Sequence, residues 1–301
     1  MIISKIFQEG LGIGVKTLNE KNVETLGLAV SKPGKPFATF LENASYIKDL
    51  SEEVATVVTK IEVVDELLKA QPDIGICIVE KPRVSFFKLH NYLMSKDYYR
   101  VAFHNNKIAE SSKIAKFVNI ADHNVVIGEN VVIEDFVTIA PNTVIGNNSI
   151  IRSGAVIGGE GFEFKADDAT LFDVIHGGGV YIGSDVEIQN NTCVDKAIYP
   201  WDRTVIDEYT KIDNLVYIAH GVKIGKRVMI VAQAGIGGRV EIGDDSWIGL
   251  GATIRNGIKL GSHSRANMGS VVTKDVHDGE SVSGNFAIDH KKFINRIKSI
   301  D

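Results

Sequence analysis

A parallel β-helix preceded by a small α/β domain is the fold that the sequence predicts, on three observations. An aliphatic residue recurs every six positions over most of residues 108–260. Glycine and isoleucine crowd into that same region. The first hundred residues instead alternate apolar runs with amphipathic stretches. Residues 1–100 hold 6 of the 29 glycines, 9 of the 37 isoleucines and 4 of the 6 prolines, so two differently built regions share the 301-residue chain. A composition of 44% hydrophobic and 24% charged residues is that of a globular protein with a large core and excludes disorder.

In the first region, VATVVT at 54–59 and IGICIVE at 74–80 read as buried strands, while VVDELLKAQ at 63–71 and SFFKLHNYLM at 85–94 carry helical apolar spacing. An α/β domain over residues 1–103 follows. Phe40, Asn43 and Tyr46 stand at intervals of three after the turn-like SKPGKP at 31–36. On its own that spacing is one face of a short helix contributing to a core.

The repeat begins at Ile108, Ile114 and Ile120, slips by one residue, and resumes at Ile127 through Ile157. It returns at Ile182, Ile188 and Val194, breaks again, and then runs without a slip from Ile206 to Leu260, with nine isoleucines in succession. Six residues match neither a helix nor a heptad; they match short strands joined by turns, three hexads to a triangular coil. The aliphatic residue points inward and stacks on its equivalent three hexads away. The next position is often glycine (Gly128, Gly146, Gly183, Gly225, Gly243, Gly249, Gly261), which suits a corner or an unusual backbone angle. Residues 158–181 and 195–205 exceed the repeat and must leave the coils as loops, where sites are usually built. A solenoid over 104–283 and a tail over 284–301 are therefore predicted. In the tail Phe293, Ile294, Ile297 and Ile300 carry the spacing of a short helix capping or crossing the last coil.

A net charge of -5 and a pI near 5.9 argue against nucleic acid as a partner, since phosphate neutralisation needs a basic face. Cys77 and Cys193 lie in strand-like sequence in different regions, so neither a disulfide framework nor a cysteine zinc site is expected, which fits a reducing compartment. MIISKIFQEG does not read as a signal peptide, and no apolar run reaches the length of a transmembrane segment. A cytoplasmic protein is the expectation.

Among eight histidines, His90 falls in the second predicted helix, and His104, His123, His263, His277 and His290 fall at polar turn or tail positions. His220 differs: it lies two residues after Ile218 inside the unbroken run, and the same position one coil later is Gly238. An imidazole beside a glycine backbone suits general-base catalysis with an N–H to stabilise an oxyanion, although a lone histidine in a solenoid is more often structural. No histidine or cysteine spacing supports a metal site.

GGEGFEF (158–164), IGSDVEIQNNTCVDKA (182–197), KIDNLVYIAHGVKIG (211–225) and VAQAGIGG (231–238) together resemble the UDP-3-O-acylglucosamine N-acyltransferase family of lipid A biosynthesis. ATFLENASY and IVEKPRVSFFKLHNYL resemble that family's uridine-binding domain. The resemblance implies a homotrimeric left-handed β-helix enzyme that moves an acyl group to the amino group of a UDP-linked amino sugar. It implies no permanently bound cofactor, the acyl donor being carried on the phosphopantetheine of acyl carrier protein or CoA. Carried over to this sequence, it makes His220 the base and Gly238 the oxyanion donor. Phe40 and Tyr46 become the uracil sandwich, with Asn43 a polar contact to the base. Asp213 and Asn214 become candidates for holding the sugar or orienting His220, with turn roles equally open. Gly161, in the run with Glu160 and Phe162, and His176 become candidates for shaping the site. Three features depart from the family: Gly257 stands where a second histidine is usual, Gly221 where an asparagine is usual, and the tail is shorter. They leave open an acetyl-CoA or short acyl-CoA enzyme acting on a nucleotide-linked deoxyamino sugar. A non-catalytic solenoid that binds UDP is the third reading.

Overall fold

The computed structural model describes residues 1–284 and 286–299, the side chains of Arg296 and Ile297 excepted. Two compact units result: one of residues 1–104, 160–179 and 196–203, the other of residues 105–159, 180–195 and 204–301.

In the first unit a short helix α1 (Ile3–Lys5) leads into strands β1 (Lys16–Leu18), β2 (Thr25–Leu26), β3 (Phe37–Leu41) and β4 (Val54–Thr59). Helix α2 (Ile61–Ala70), β5 (Gly75–Ile78) and α3 (Pro82–Leu93) follow. The sheet order is β1-β5-β4-β3-β2, with only β1 antiparallel to its neighbour. Val63, Val64 and Leu67 bury one face of α2. Pro82 opens α3 at a position where its missing N–H costs nothing, and Phe86, Phe87, Leu89 and Leu93 of that helix are buried. Both strands and both helices expected from the apolar pattern are present. Phe40, Asn43 and Tyr46 do not share a helix face: Phe40 is the penultimate residue of β3, Asn43 caps a 3-10 turn over Ala44–Asp49, and Tyr46 lies in that turn.

The expected split at residue 103 omits the two excursions from the repeat, which cluster with the N-terminal residues. Val174, Ile198 and Tyr199 bury in the same core as Phe7, Phe86 and Leu93, and Trp201 Nε1 donates to the Leu26 carbonyl at 2.9 Å. The first excursion forms its own antiparallel hairpin, Phe164–Asp167 against Thr170–Asp173. These stretches are thus core-forming as well as loop-like.

In the second unit three parallel sheets of nine, eight and eight short strands form the coils. Ile218 pairs with Ile236, and Ile236 with Ile254, so the coil is three hexads, as expected. From Ile127 to Leu260 the inward aliphatic side chains are buried; Ile108 and Ile114, in the first coil, are exposed. A second inward position, two residues earlier, holds Val216, Val222, Val228, Ala234, Val240 and Ala252, all buried, as the alternation of a strand requires.

Of the glycines after a stacked residue, Gly158 has φ +84°, but Gly128, Gly146, Gly183, Gly225, Gly243, Gly249 and Gly261 do not adopt positive φ; they sit where coils meet closely. A Cβ on Gly146 would lie 2.6 Å from backbone atoms of Gly183 and Ser184. Positive φ falls instead two residues later, once per hexad, at positions that include Tyr209, Leu215, Gly221, Arg227, Arg239 and Gly257. Both long excursions interrupt the same one of the three turns, that from the eight-stranded sheet holding Ile218 to the eight-stranded sheet holding Ile224, in successive coils. A tail helix, α4 (His290–Lys298), forms as expected, but Phe293 is 48% exposed and Ile294 only half-buried, so their side chains do not seal the coil. Ile300 lies outside the described residues. No helix among the described residues is long and apolar enough to cross a membrane.

Replacing Ile236 with alanine is expected to cost about 2–5 kcal/mol, read from chemical denaturation, whereas the same change at exposed Ile108 should cost less than about 1 kcal/mol. Equal losses at the two positions would refute the unequal burial.

His90 provides a second prediction. Its Nε2–H donates to the Ile175 carbonyl at 2.8 Å, so Nδ1 accepts from the Tyr99 hydroxyl at 3.0 Å and the ring is neutral. Burial is the main cause holding its pKa down to about 4. The unfolded chain then takes up the extra proton, so His90's contribution is complete above about pH 6.5 and is lost as pH falls towards 4, on the order of 3 kcal/mol in all. Denaturation of wild type and His90→Gln at pH 7 and pH 4.5 should show a smaller acid loss in the variant.

Candidate active site

His220 occupies the turn between Ile218 and Lys223, which joins the two eight-stranded sheets and is the turn that the excursions interrupt in the two preceding coils. Its side chain is 6% exposed. Gly238 sits in register one coil on, where a Cβ would lie only 2.8 Å from His220 Nε2, so glycine is what lets the ring approach this backbone. The N–H groups of Gly237 and Arg239 are used between coils, donating to the carbonyls of Ile254 and His220, whereas the Gly238 N–H makes no such bond. An imidazole nitrogen and an unspent backbone donor are therefore brought together.

The turn after His220 is fixed from below. The Gly221 N–H donates to Thr204 Oγ1 at 2.9 Å, and that hydroxyl donates to the Asp195 carbonyl at 2.6 Å. Gly221 itself has φ +70°, a conformation that glycine and asparagine both tolerate, so its departure from the family pattern leaves the turn geometry accessible. Gly257 also has positive φ, and no atom lies within 4 Å of a Cβ built on it.

Two features of this face are not evident from the repeat. Arg239 Nη1 lies 3.1 Å from His220 Nε2. An offset of 19 residues, one coil plus one, is the sequence signal that could have placed it there. The Tyr217 hydroxyl donates to Asp195 Oδ2 at 2.7 Å, and burial, reinforced by that carboxylate, pushes the phenol pKa upward.

Asp213 and Asn214 have structural partners. Asp213 accepts from Asn214 N–H and Nδ2, both at 2.7 Å, and from the Ala232 N–H one coil on at 3.1 Å. Asn214 Oδ1 accepts from Asn190 N–H at 3.1 Å and Nδ2 at 2.9 Å one coil back. Of the two readings open for this pair, corner ties between coils are the one with visible contacts.

The remaining candidates lie in the first unit. Phe40 is half-buried with its ring 5.1 Å from that of Phe86 and 5.7 Å from that of Phe87, while Tyr46 is 55% exposed. Asn43 Oδ1 accepts from the Ser45 N–H at 3.1 Å, which leaves its amide nitrogen for other partners. These residues lie at and just beyond the carboxyl end of the parallel strand β3, a common ligand position in open α/β sheets. A cleft of about 640 Å³ at the ends of β4 and β5 is lined by Gly14, Lys16, Lys60, Ile78 and Glu80 among others, and by none of the three uracil candidates. His176 is buried with Nδ1 3.7 Å from Glu160, which pairs with Lys196 at 2.6 Å; burial holds its pKa down. Gly161 is half-buried beside Phe162, which is 83% exposed and tilted against Phe164.

The profile for bacterial transferase hexapeptide (six repeats) matches residues 124–159 and 203–238. UDP-3-O-acylglucosamine N-acyltransferase 2 of Legionella pneumophila (strain Lens) is 48% identical over 91 residues, 30% of this chain and 26% of the relative. The UDP-3-O-acylglucosamine N-acyltransferase of Delftia acidovorans is 34% identical over 137 residues, 46% of this chain and 40% of the relative. A probable mitochondrial UDP-3-O-acylglucosamine N-acyltransferase 2 of Arabidopsis thaliana is 38% identical over 133 residues, 44% and 43% of the two chains. The chain thus spans less than half the length of these relatives. Among solved structures, a UDP-N-acetylglucosamine acyltransferase from Campylobacter jejuni superposes with a TM-score of 0.51 at 20% identity, over 65% of this chain and 81% of that one. Fold is what that likeness establishes: the solenoid is a left-handed parallel β-helix.

Gly238→Ala is expected to leave the fold intact, because the added methyl meets a movable ring, and to displace the imidazole. Ring NMR signals of His220 should shift while denaturation changes by less than about 1 kcal/mol; unmoved signals would contradict the close approach.

Proposed function

We propose that the chain, which over part of its length is similar to UDP-3-O-acylglucosamine N-acyltransferases and to the hexapeptide-repeat transferase profile, transfers an acyl group from a thioester to the amino group of a UDP-linked amino sugar. The observation that carries this reading is the approach of His220 Nε2 to the Gly238 backbone, whose N–H is left unspent by the ladder. The neutral amine attacks the thioester carbonyl carbon, forming the C–N bond. His220 accepts the proton released from nitrogen, and the Gly238 N–H donates to the tetrahedral oxyanion. The C–S bond then breaks and the thiol leaves with a proton returned by the imidazole. The thioester supplies the activation, and the protein supplies position, the proton acceptor and the oxyanion donor.

Phe40 and Tyr46 hold the uracil in this reading, with the Asn43 amide as its polar contact. The donor is carried on phosphopantetheine, and the active form is a homotrimer. A second reading keeps the fold and base but takes a short acyl-CoA. It is favoured by Gly257, which puts no side chain where the family has its second histidine.

His220→Gln should lower turnover by roughly 10²–10⁴-fold, the range of a lost general base, while its denaturation profile and oligomeric state stay those of the wild type. Near-normal turnover in that variant would refute the mechanism.

A further inference from the structure

Arg239 is half-buried, and its Nη1 lies 3.1 Å from His220 Nε2. A guanidinium has five N–H donors and no acceptor, so it donates into the lone pair of Nε2 and fixes the proton of the neutral ring on Nδ1. No carboxylate among the described residues pairs with Arg239. Elsewhere on the solenoid Arg152 is held by Glu134 and Glu187, and Arg227 by Asp245. Gly221 and Gly257, the equivalents of Arg239 one coil before and after, put no side chain beside it. The base therefore has a cation at its reactive nitrogen, and that cation keeps most of its donors unspent.

A general base needs the Nε2 lone pair open to the amine, whereas Arg239 Nη1 lies against it at 3.1 Å. We infer that Arg239 is a phosphate-binding and positioning residue: it caps His220 in the unliganded protein and leaves Nε2 when a phosphate ester of an incoming substrate takes the guanidinium. The fork geometry of arginine suits a phosphate, whose charge a neutral imidazole cannot rival as an acceptor. The base is thus released only when ligand is in place. This inference rests on the reading of His220 as the base. The phosphate has two sources of one chemistry, the pantetheine arm of the donor or the pyrophosphate of the nucleotide sugar.

The test is calorimetric titration of the full chain, wild type and R239Q, with CoA and separately with UDP-N-acetylglucosamine, together with ¹⁵N NMR of the His220 ring. R239Q should weaken at least one probe by about tenfold or more, and the affected probe names the source of the phosphate. R239K, which keeps the charge but not the fork, should recover part of the loss and guards against a folding defect. The Nε2 resonance of unliganded protein should move in R239Q, and the affected probe should move it likewise in the wild type. Unchanged affinity for both probes, or an Nε2 resonance indifferent to variant and probe alike, overturns the inference. Neither readout involves acyl transfer, so a failure of His220 as base would appear in the turnover of His220→Gln and leave these results standing.

Discussion

The rest of the molecule depends on the stacking of inward aliphatic side chains at a pitch of 18 residues. Each two- or three-residue strand is too short to be stable alone and is held by the coil on either side, through paired backbone bonds and a continuous apolar column. That column fixes the register of everything on the outside. A residue placed two positions after the stacked one faces its equivalent one coil away, and this is how His220 comes to stand beside Gly238 although 18 residues separate them. Loss of register by one residue would separate the imidazole from the glycine backbone.

Much of the solenoid is legible in the sequence because its inward position accepts little other than isoleucine. The second inward position is hidden from such a reading: it takes valine, alanine, serine, threonine or, at Ile258, isoleucine, so no single residue type marks it. The glycine row is only half legible. Its count is obvious, but its cause, close approach between coils rather than left-handed backbone, lies in contacts between residues far apart in the chain. The left-handed position is the opposite case, since residues as unlike as Tyr209, Leu215 and Arg239 fill it. In the first unit the apolar pattern locates strands and helices. It does not locate the partners of Val174, Ile198 and Tyr199, which reach the N-terminal core from excursions that the repeat can register only as interruptions.

The candidate site divides in the same way. His220 and Gly238 are legible because the repeat supplies their geometry. Asp213 and Asn214 look functional beside them, yet their polar atoms tie adjacent coils together, a demand that any turn of a solenoid makes. Arg239 reads as an ordinary surface cation until the coil brings it to Nε2. For Phe40, Asn43 and Tyr46 the resemblance carries more than the spacing: intervals of three suggest a helix, whereas a strand end and a 3-10 turn present the side chains.

The activity proposed for this scaffold is N-acyl transfer to a UDP-linked amino sugar. The most direct measurement is mass spectrometry of the product formed when the purified chain is given UDP-amino sugars with a pool of acyl thioesters of differing chain length and carrier. The expected product is a UDP-sugar heavier by one acyl group, with the acyl on nitrogen and an equivalent of thiol released. A chain that binds the UDP-sugar yet releases no thiol from any donor, or that places the acyl group on oxygen, would contradict it.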